Sequence, residues 1–302
     1  MSPIVRGDWA ELLAPGLNMR TFNKYREKPE MYRLFNNVKD SVKAFEDDFA
    51  YTGFGPLAPK GELESTILDE PIKLGGVRII HKTFALGFEI SQELREDDQY
   101  NIMGDLASDL GRSSRFTAEL YGHDVLNNAF TTVKYAGRDG LALCSTVHPV
   151  KATGLTYSNR AVPDVDLSQA ALEAAWGNFQ SQVADNGMPI DMQPMVLIVH
   201  PDNVLLARRL LQSTGYPGTN NNDINPLADM GIRIVASPYL TDRDAFFVTA
   251  APTETDILFY WRRKPDTKTW DDDDADGTIH KISQRHSVGF RDWRGVYGST
   301  GA

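Results

Sequence analysis

The chain has 302 residues, 41% hydrophobic and 24% charged, enough for one elaborated domain or two interleaved ones with a sizeable core. Its 41 acidic and 31 basic residues leave a net charge of -10, which argues against a protein that grips nucleic acid by neutralising phosphates. The lone Cys144 excludes an intrachain disulfide and any multi-cysteine metal site, and the longest apolar run, Met195–Val199, is too short to span a bilayer.

Asp8 and Glu11 interrupt the start before a signal-peptide pattern can build up, so a soluble chain made in a reducing compartment, with no membrane partner, is expected. Residues 1–49 read as an arm. A short amphipathic piece, Trp9–Leu13, is ended by Pro15-Gly16, and an aromatic-rich series follows at Met19, Phe22, Tyr25, Met31, Tyr32, Leu34 and Phe35. So much apolar surface on so short a segment must pack on something, either the body of the protein or a neighbouring subunit.

Residues 50–90 carry a strand-turn-strand signal entered through Gly53, Gly55, Pro56, Pro59 and Gly61. Glu64–Asp69 is expected as one strand, Pro71–Gly76 as a connection and Val77–Ile90 as a long second strand. In that second strand Ile80, Phe84, Leu86, Phe88 and Ile90 alternate with polar or small residues. Such a hairpin either projects from the body or lies buried in the main sheet.

The stretch Ser91–Phe130 contains no proline and opens on a serine cap followed by acids. Apolar residues recur at helical spacing at Ile102, Leu106, Leu110, Leu120 and Tyr121. A second stripe of small residues, Gly104, Ala107, Gly111, Ser114, Ala118 and Gly122, predicts a long spine helix with strands laid closely along that face.

Cys144 and His148 follow the spine. They are the residues that invite a nucleophile-and-base reading, but their spacing fits no catalytic signature, and a cysteine in an apolar run is ordinarily a small core residue. From Asp166 the pattern becomes αβ. A helix opens near Ser168 with Leu172, Trp176, Phe179 and Val183 on one face and stops at Asn186-Gly187. Met195–Val199 reads as a buried strand and Val204–Leu211 as a helix. The polar loop Ser213–Pro226 should be exposed, and strands are expected at Ile232–Ala236, Ala245–Thr249 and Ile257–Trp261. No glycine-rich nucleotide motif is present, and no cofactor is expected.

Asp271–Asp276 imitates the first half of a calcium loop, yet Ser283 stands where the closing carboxylate belongs, so a solvated acidic turn is expected. His280 and His286 lack the further ligands of a zinc site, and a strand is predicted from Ile279 to about Tyr297.

Several motifs stand out in this order: Phe88–Leu94 with Asp97–Tyr100; Asp139-Gly140-Leu141 and Ser145–Pro149; Tyr157-Ser158-Asn159; and Gly289–Gly295. Their order and spacing resemble the major capsid proteins of tailed bacteriophages, with the Hong Kong ninety-seven type fold, and within them the Mu-like major head subunit family. The resemblance implies an α+β fold with an N-terminal arm (1–49), an extended hairpin loop (50–88), a peripheral domain with the spine helix (89–162 and 255–302) and an axial domain (163–254). It further implies a non-enzymatic subunit of hexamers and pentamers in an icosahedral shell around double-stranded DNA that is not specifically bound. Assembly would occur in the host bacterial cytoplasm, with scaffolding and portal proteins as partners. The missing charged, coiled-coil-like preface before Trp9 points to a separate scaffolding protein. Candidate interface residues are Leu68, Lys73, Leu74, Gly75, Gly76 and Arg78 on the hairpin, with Tyr216 and Asn220 on the axial loop. The alternatives are an encapsulin-like nanocompartment shell and, from another class, a hydrolase using Cys144 and His148.

Overall fold

In the computed structural model, residues 8–96, 102–151, 153–213, 215, 224–272 and 276–302 are described. Helix α1 (Asp8–Tyr25) runs through Pro15 instead of stopping there, because it packs along the spine rather than standing alone. A 3-10 turn at Tyr32–Leu34 leads into strands β1 (Asn37–Asp40) and β2 (Phe45–Tyr51). Tyr32 and Phe35 are fully buried in the main core, so this part of the arm packs on the chain's own body.

The single strand expected over Val77–Ile90 is two. β3 (Lys73–Ile80) pairs antiparallel with β2, whereas β4 (Lys82–Ser91) pairs with a later strand. The alternation of apolar residues continues across His81, which is why periodicity alone conceals the change of sheet. Glu64–Asp69 is not a strand; the outgoing arm of the hairpin is β2, and residues 52–72 form the loop between the two.

Helix α2 (Gln92–Glu96) opens on Ser91, whose hydroxyl accepts from the Leu94 amide at 3.3 Å, and α3 (Ile102–Asn127) is the spine. Residues 97–101, within the expected spine, lie outside the described residues. All six members of the small-residue stripe are buried on α3. The stripe meets the arm as well as the sheet. A β-carbon at Gly111 would come 2.1 Å from the Thr21 carbonyl oxygen, and one at Gly122 would come 2.3 Å from Tyr32. Ser114 bonds Gln284 of the sheet at 3.0 Å. Of the apolar stripe, Leu110 is buried but Ile102, Leu106 and Leu120 are exposed.

Two short strands, β5 (His148–Pro149) and β6 (Thr156–Tyr157), precede α4 (Gln169–Gln180), which Ser168 caps by accepting from Ala171 N. The helix ends at Gln180, earlier than expected, and Asn186-Gly187 is a separate turn with Gly187 at φ 84. β7 (Val196–Val199), α5 (Val204–Gln212), β8 (Arg233–Ala236) and β9 (Phe246–Thr249) follow. β10 (Ile257–Asp272) continues far beyond Trp261 and pairs with β11 (Gly277–Phe290), while β12 (Val296–Ser299) leaves for another sheet. The strand expected from Ile279 to Tyr297 is therefore divided at residues 291–295.

Two four-stranded sheets organise the chain, ordered β1-β10-β11-β4 and β12-β9-β7-β8. α1 and α3 cover one face of the first. The two apolar cores follow: one includes Tyr32, Phe35, Leu126, Phe247, Phe259 and Phe290, the other Leu172, Phe179, Leu197, Leu211 and Phe246. Among the described residues no helix is long and apolar enough to cross a membrane.

Candidate subunit interface

The motifs that follow the spine converge in space. His148 is fully buried, with Nδ1 2.6 Å from an Asp139 carboxylate oxygen and Nε2 3.1 Å from the Asn159 side-chain oxygen. Its ring stacks on Trp293 at 4.5 Å and 10°. Asn159 also accepts from Ser145 N at 2.9 Å and donates to Leu143 and Val296 carbonyls at 2.8 and 3.1 Å. Burial pushes the Asp139 carboxyl up, but hydrogen bonds from His148 and the Leu141 amide outweigh it and hold the group below the usual range. This knot ties the segment after the spine to the crossing between β11 and β12. Cys144 is 1% exposed, and burial pushes its thiol up, away from the thiolate that a nucleophile needs. Both nitrogens of His148 are engaged with Asp139 and Asn159, so neither is poised as a base.

The hairpin is mounted by charge. Asp48 on β2 bonds Arg138 through Nε at 2.6 Å and pairs with Arg291 at 3.2 Å, and Arg291 in turn pairs with Asp256. Gly75 lies so close to the body that a β-carbon there would sit 2.1 Å from the Arg138 carbonyl oxygen, and Leu74 beside it is buried. At the change of sheet, His81 Nδ1 lies 2.9 Å from the Ser287 hydroxyl and Nε2 3.2 Å from that of Ser41, which joins the two roots of the hairpin. Acids at 47 and 48 inside an aromatic strand are the sequence signal for this mount, and sequence reasoning missed it.

The outward face is different. Opposed residues share it: Phe45 and Ile80, Asp47 and Arg78, Phe49 and Gly76, Tyr51 and Lys73. Arg78 makes a two-point contact with Asp47 at 2.6 and 2.7 Å and lies 4.4 Å from the Phe45 ring centroid. The Lys73 ammonium lies 5.2 Å from the Phe49 ring. Beyond them the loop is closed by Thr52 N donating to Ile72 O at 3.0 Å, and Phe54, Leu57, Leu63, Ile67 and Leu68 are all exposed, Leu68 by 88%.

Of the sequence candidates, Leu68, Lys73, Gly76 and Arg78 thus lie on the exposed loop or the outward face of the hairpin. Leu74 and Gly75 face the body, so the connection expected over Pro71–Gly76 is largely the start of β3. Tyr216 and Asn220 lie outside the described residues, as does the centre of the acidic turn at 273–275. Among the described residues no group of three or more His, Cys, Asp or Glu is arranged to hold a metal. His280 is instead bound to Thr269 and Thr21 at 2.7 and 3.3 Å.

A spine helix under a long-stranded sheet, a separate α/β unit and a mounted, uncovered hairpin define a virus-capsid type of shell subunit. The sequence model of a family described as phage capsid protein matches residues 77–299, and the chain belongs to that family. The fold is similar to the capsid of cyanophage P-SCSP1u, with a TM-score of 0.61 and 13% identity, covering 90% of this chain and 88% of that one. It is similar also to the bacteriophage JBD30 capsid, with a TM-score of 0.59 and 14% identity over 71% of this chain and 92% of that one. A virus-like particle from Pyrococcus furiosus matches at a TM-score of 0.54 and 10% identity, over 94% and 98%. No curated protein sequence matches the chain.

Proposed function

We propose that this capsid protein is the major head subunit of a Mu-like tailed phage, assembling as hexamers and pentamers into an icosahedral shell that encloses double-stranded DNA. The observation that carries the reading is the loop at 54–70, whose apolar side chains its own chain leaves uncovered although the hairpin beneath it is firmly mounted. So many exposed apolar side chains on one loop are the mark of a protein interface. The division into arm (1–49), hairpin (50–88), peripheral (89–162 and 255–302) and axial (163–254) parts is proposed with it. Leu68, Lys73, Gly76 and Arg78 are the hairpin contacts, and Tyr216 and Asn220 are contacts near the capsomer axis.

Its role is structural, without a catalytic step. Assembly takes place in the host bacterial cytoplasm, with scaffolding and portal proteins as partners. An encapsulin-like compartment shares the fold; the match of the phage capsid family across residues 77–299 favours the phage reading. Negative-stain microscopy and light scattering of the expressed protein test it. Closed particles are expected. A monodisperse monomer at all concentrations, with or without a co-expressed scaffold, would overturn it.

A further inference from the structure

A cavity of about 230 Å³ opens where the root of the hairpin, the spine and the second half of β11 meet. Buried Ile79, Val288 and Phe290 line it, with Tyr121 of α3 and Tyr135 of the segment after the spine. Lys82 on β4 and His286 on β11 are register partners, so their side chains share one face of the sheet. It is the face that meets the spine, because the His286 ring lies 5.5 Å from that of Tyr121. Lys82 and Ile80 are exposed, and the cavity is open to solvent beside them.

Two groups in this lining lack a counterpart. Its cations are Arg78, Lys82 and Lys134, and no carboxylate lines the cavity with them among the described residues. Arg78 is paired with Asp47 and Lys134 with Asp124, whereas Lys82 has no ion-pair partner among the described residues, so one positive charge is uncompensated. His286 is the second group. It is fully buried between Phe84 and Phe259, at 4.6 and 5.1 Å, and neither ring nitrogen has a hydrogen-bond partner. The other buried histidines, His81, His123, His148 and His280, all bond an oxygen. Burial lowers His286 from 6.5 to about 3, so it is neutral, with one N–H to donate and one lone pair to fill. The Trp261 and Tyr121 rings, steeply inclined to it at 5.2 and 5.5 Å, offer the N–H a weak contact and the lone pair nothing.

We infer that this cavity binds a small aromatic hydroxy acid, with its carboxylate on Lys82, its hydroxyl on His286 and its ring against Ile79, Val288 and Phe290. The chemistry of the lining selects each part. A monoanion balances the one uncompensated cation. A hydroxyl both donates and accepts, so it serves His286 whichever nitrogen carries the proton. A cavity of about 150 Å³ holds benzene, so the volume here accommodates a phenyl ring bearing a short acid chain. The site lies within one chain at the change of sheet and depends on no subunit contact. A bound molecule would tie the root of the hairpin to the spine.

The probe is phenyllactate, titrated by calorimetry into the full-length protein, assembled or not. One molecule per chain is expected to bind and to raise the melting temperature. Lys82→Glu, at an exposed position, should weaken binding at least tenfold while cooperative melting persists, and the uncharged phenyllactamide should bind wild type at least tenfold more weakly. His286→Phe keeps an aromatic ring in the apolar box but removes both nitrogens. It should weaken phenyllactate several-fold yet leave phenylpropionate, which lacks the hydroxyl, unchanged. Absence of saturable binding at millimolar phenyllactate would overturn the site, as would binding indifferent to Lys82→Glu. Equal loss of both acids in His286→Phe would remove the hydroxyl contact and with it the assignment of a hydroxy acid. Should His286→Phe fail to melt cooperatively, the Lys82→Glu and phenyllactamide titrations decide alone.

Discussion

Gly111 of the spine lies against Thr21 of the arm helix so closely that a β-carbon on the glycine would stand 2.1 Å from the threonine carbonyl oxygen. The obstacle is backbone, which cannot step aside as the end of a flexible side chain does. Thr21 is further fixed by its hydroxyl, which bonds Ala107 O at 3.0 Å and Leu17 O at 2.9 Å. Gly111→Ala should therefore destabilise the subunit by roughly 1–3 kcal/mol, and Gly111→Leu by more, because α1 must move away from α3. Denaturant melts of the two variants check this; unchanged midpoints would contradict the close crossing.

Glu119 is a second joint between arm and spine. Its carboxylate accepts from Met31 N at 2.8 Å and Tyr32 N at 3.0 Å and pairs with Arg115 at 2.9 Å, and Arg115 also reaches Glu30 at 3.0 Å. Burial pushes the Glu119 carboxyl above its usual range, so the pair is held at some cost. Glu119→Ala leaves two amides and a buried guanidinium short of partners. A loss of roughly 3–5 kcal/mol is expected, with the 30–36 segment released to proteolysis before the sheet unfolds.

Acid should loosen the contact between the spine and the segment after β8. His123 Nδ1 donates to the Glu119 carbonyl at 2.8 Å and Nε2 accepts from the Ser237 hydroxyl at 2.8 Å, and burial lowers it from 6.5 to about 4. A histidine depressed in the folded state stabilises in its neutral form. That contribution is complete above the unfolded value of 6.5 and is lost as pH falls toward about 4, by about 3 kcal/mol. Melting temperatures of wild type and His123→Gln between pH 7.5 and 4.5 test it. The variant should start lower and fall less steeply; parallel slopes would rule His123 out as the source.

Excising the loop should separate folding from assembly. Thr52 and Ile72 already close its base, so replacing residues 54–70 with a short glycine-serine turn leaves β2 and β3 paired. We expect a soluble protein with an unchanged cooperative melt by circular dichroism and no particles by light scattering. An excision reaching Arg78 would remove buried Leu74 and the Gly75 contact and should cost stability as well. Persistent particles after the shorter excision would mean that subunit contacts lie elsewhere.

Much of this was legible in the sequence, for identifiable reasons. The small-residue stripe of α3, the Ser168 cap and the apolar runs of β7 and β9 are local signals that tertiary packing does not override. Other elements depend on distant partners. Pro15 reads as a stop until α3 supports the helix through it, and β10 looks too polar beyond Trp261 because only one of its faces is covered. β2 (FEDDFAY) is hidden by acids whose arginines lie far along the chain at 138 and 291. The knot of Asp139, His148, Asn159 and Trp293 was visible as separate motifs, but nothing in their spacing shows that they meet.

The sheet order carries a consequence for timing. β4 is made early in synthesis, yet its partner is β11, so Ser91 must wait for Gly277 and Lys82 for His286. β9 likewise lacks β12 until the segment beyond Phe290 has emerged. Translation proceeds from the N-terminus at about 5–20 residues per second, so a nascent chain presents its loop well before it can present the finished sheet. The first sheet therefore closes only after the chain has run on from Ser91 to Gly277, and its cooperative unit is completed late in synthesis.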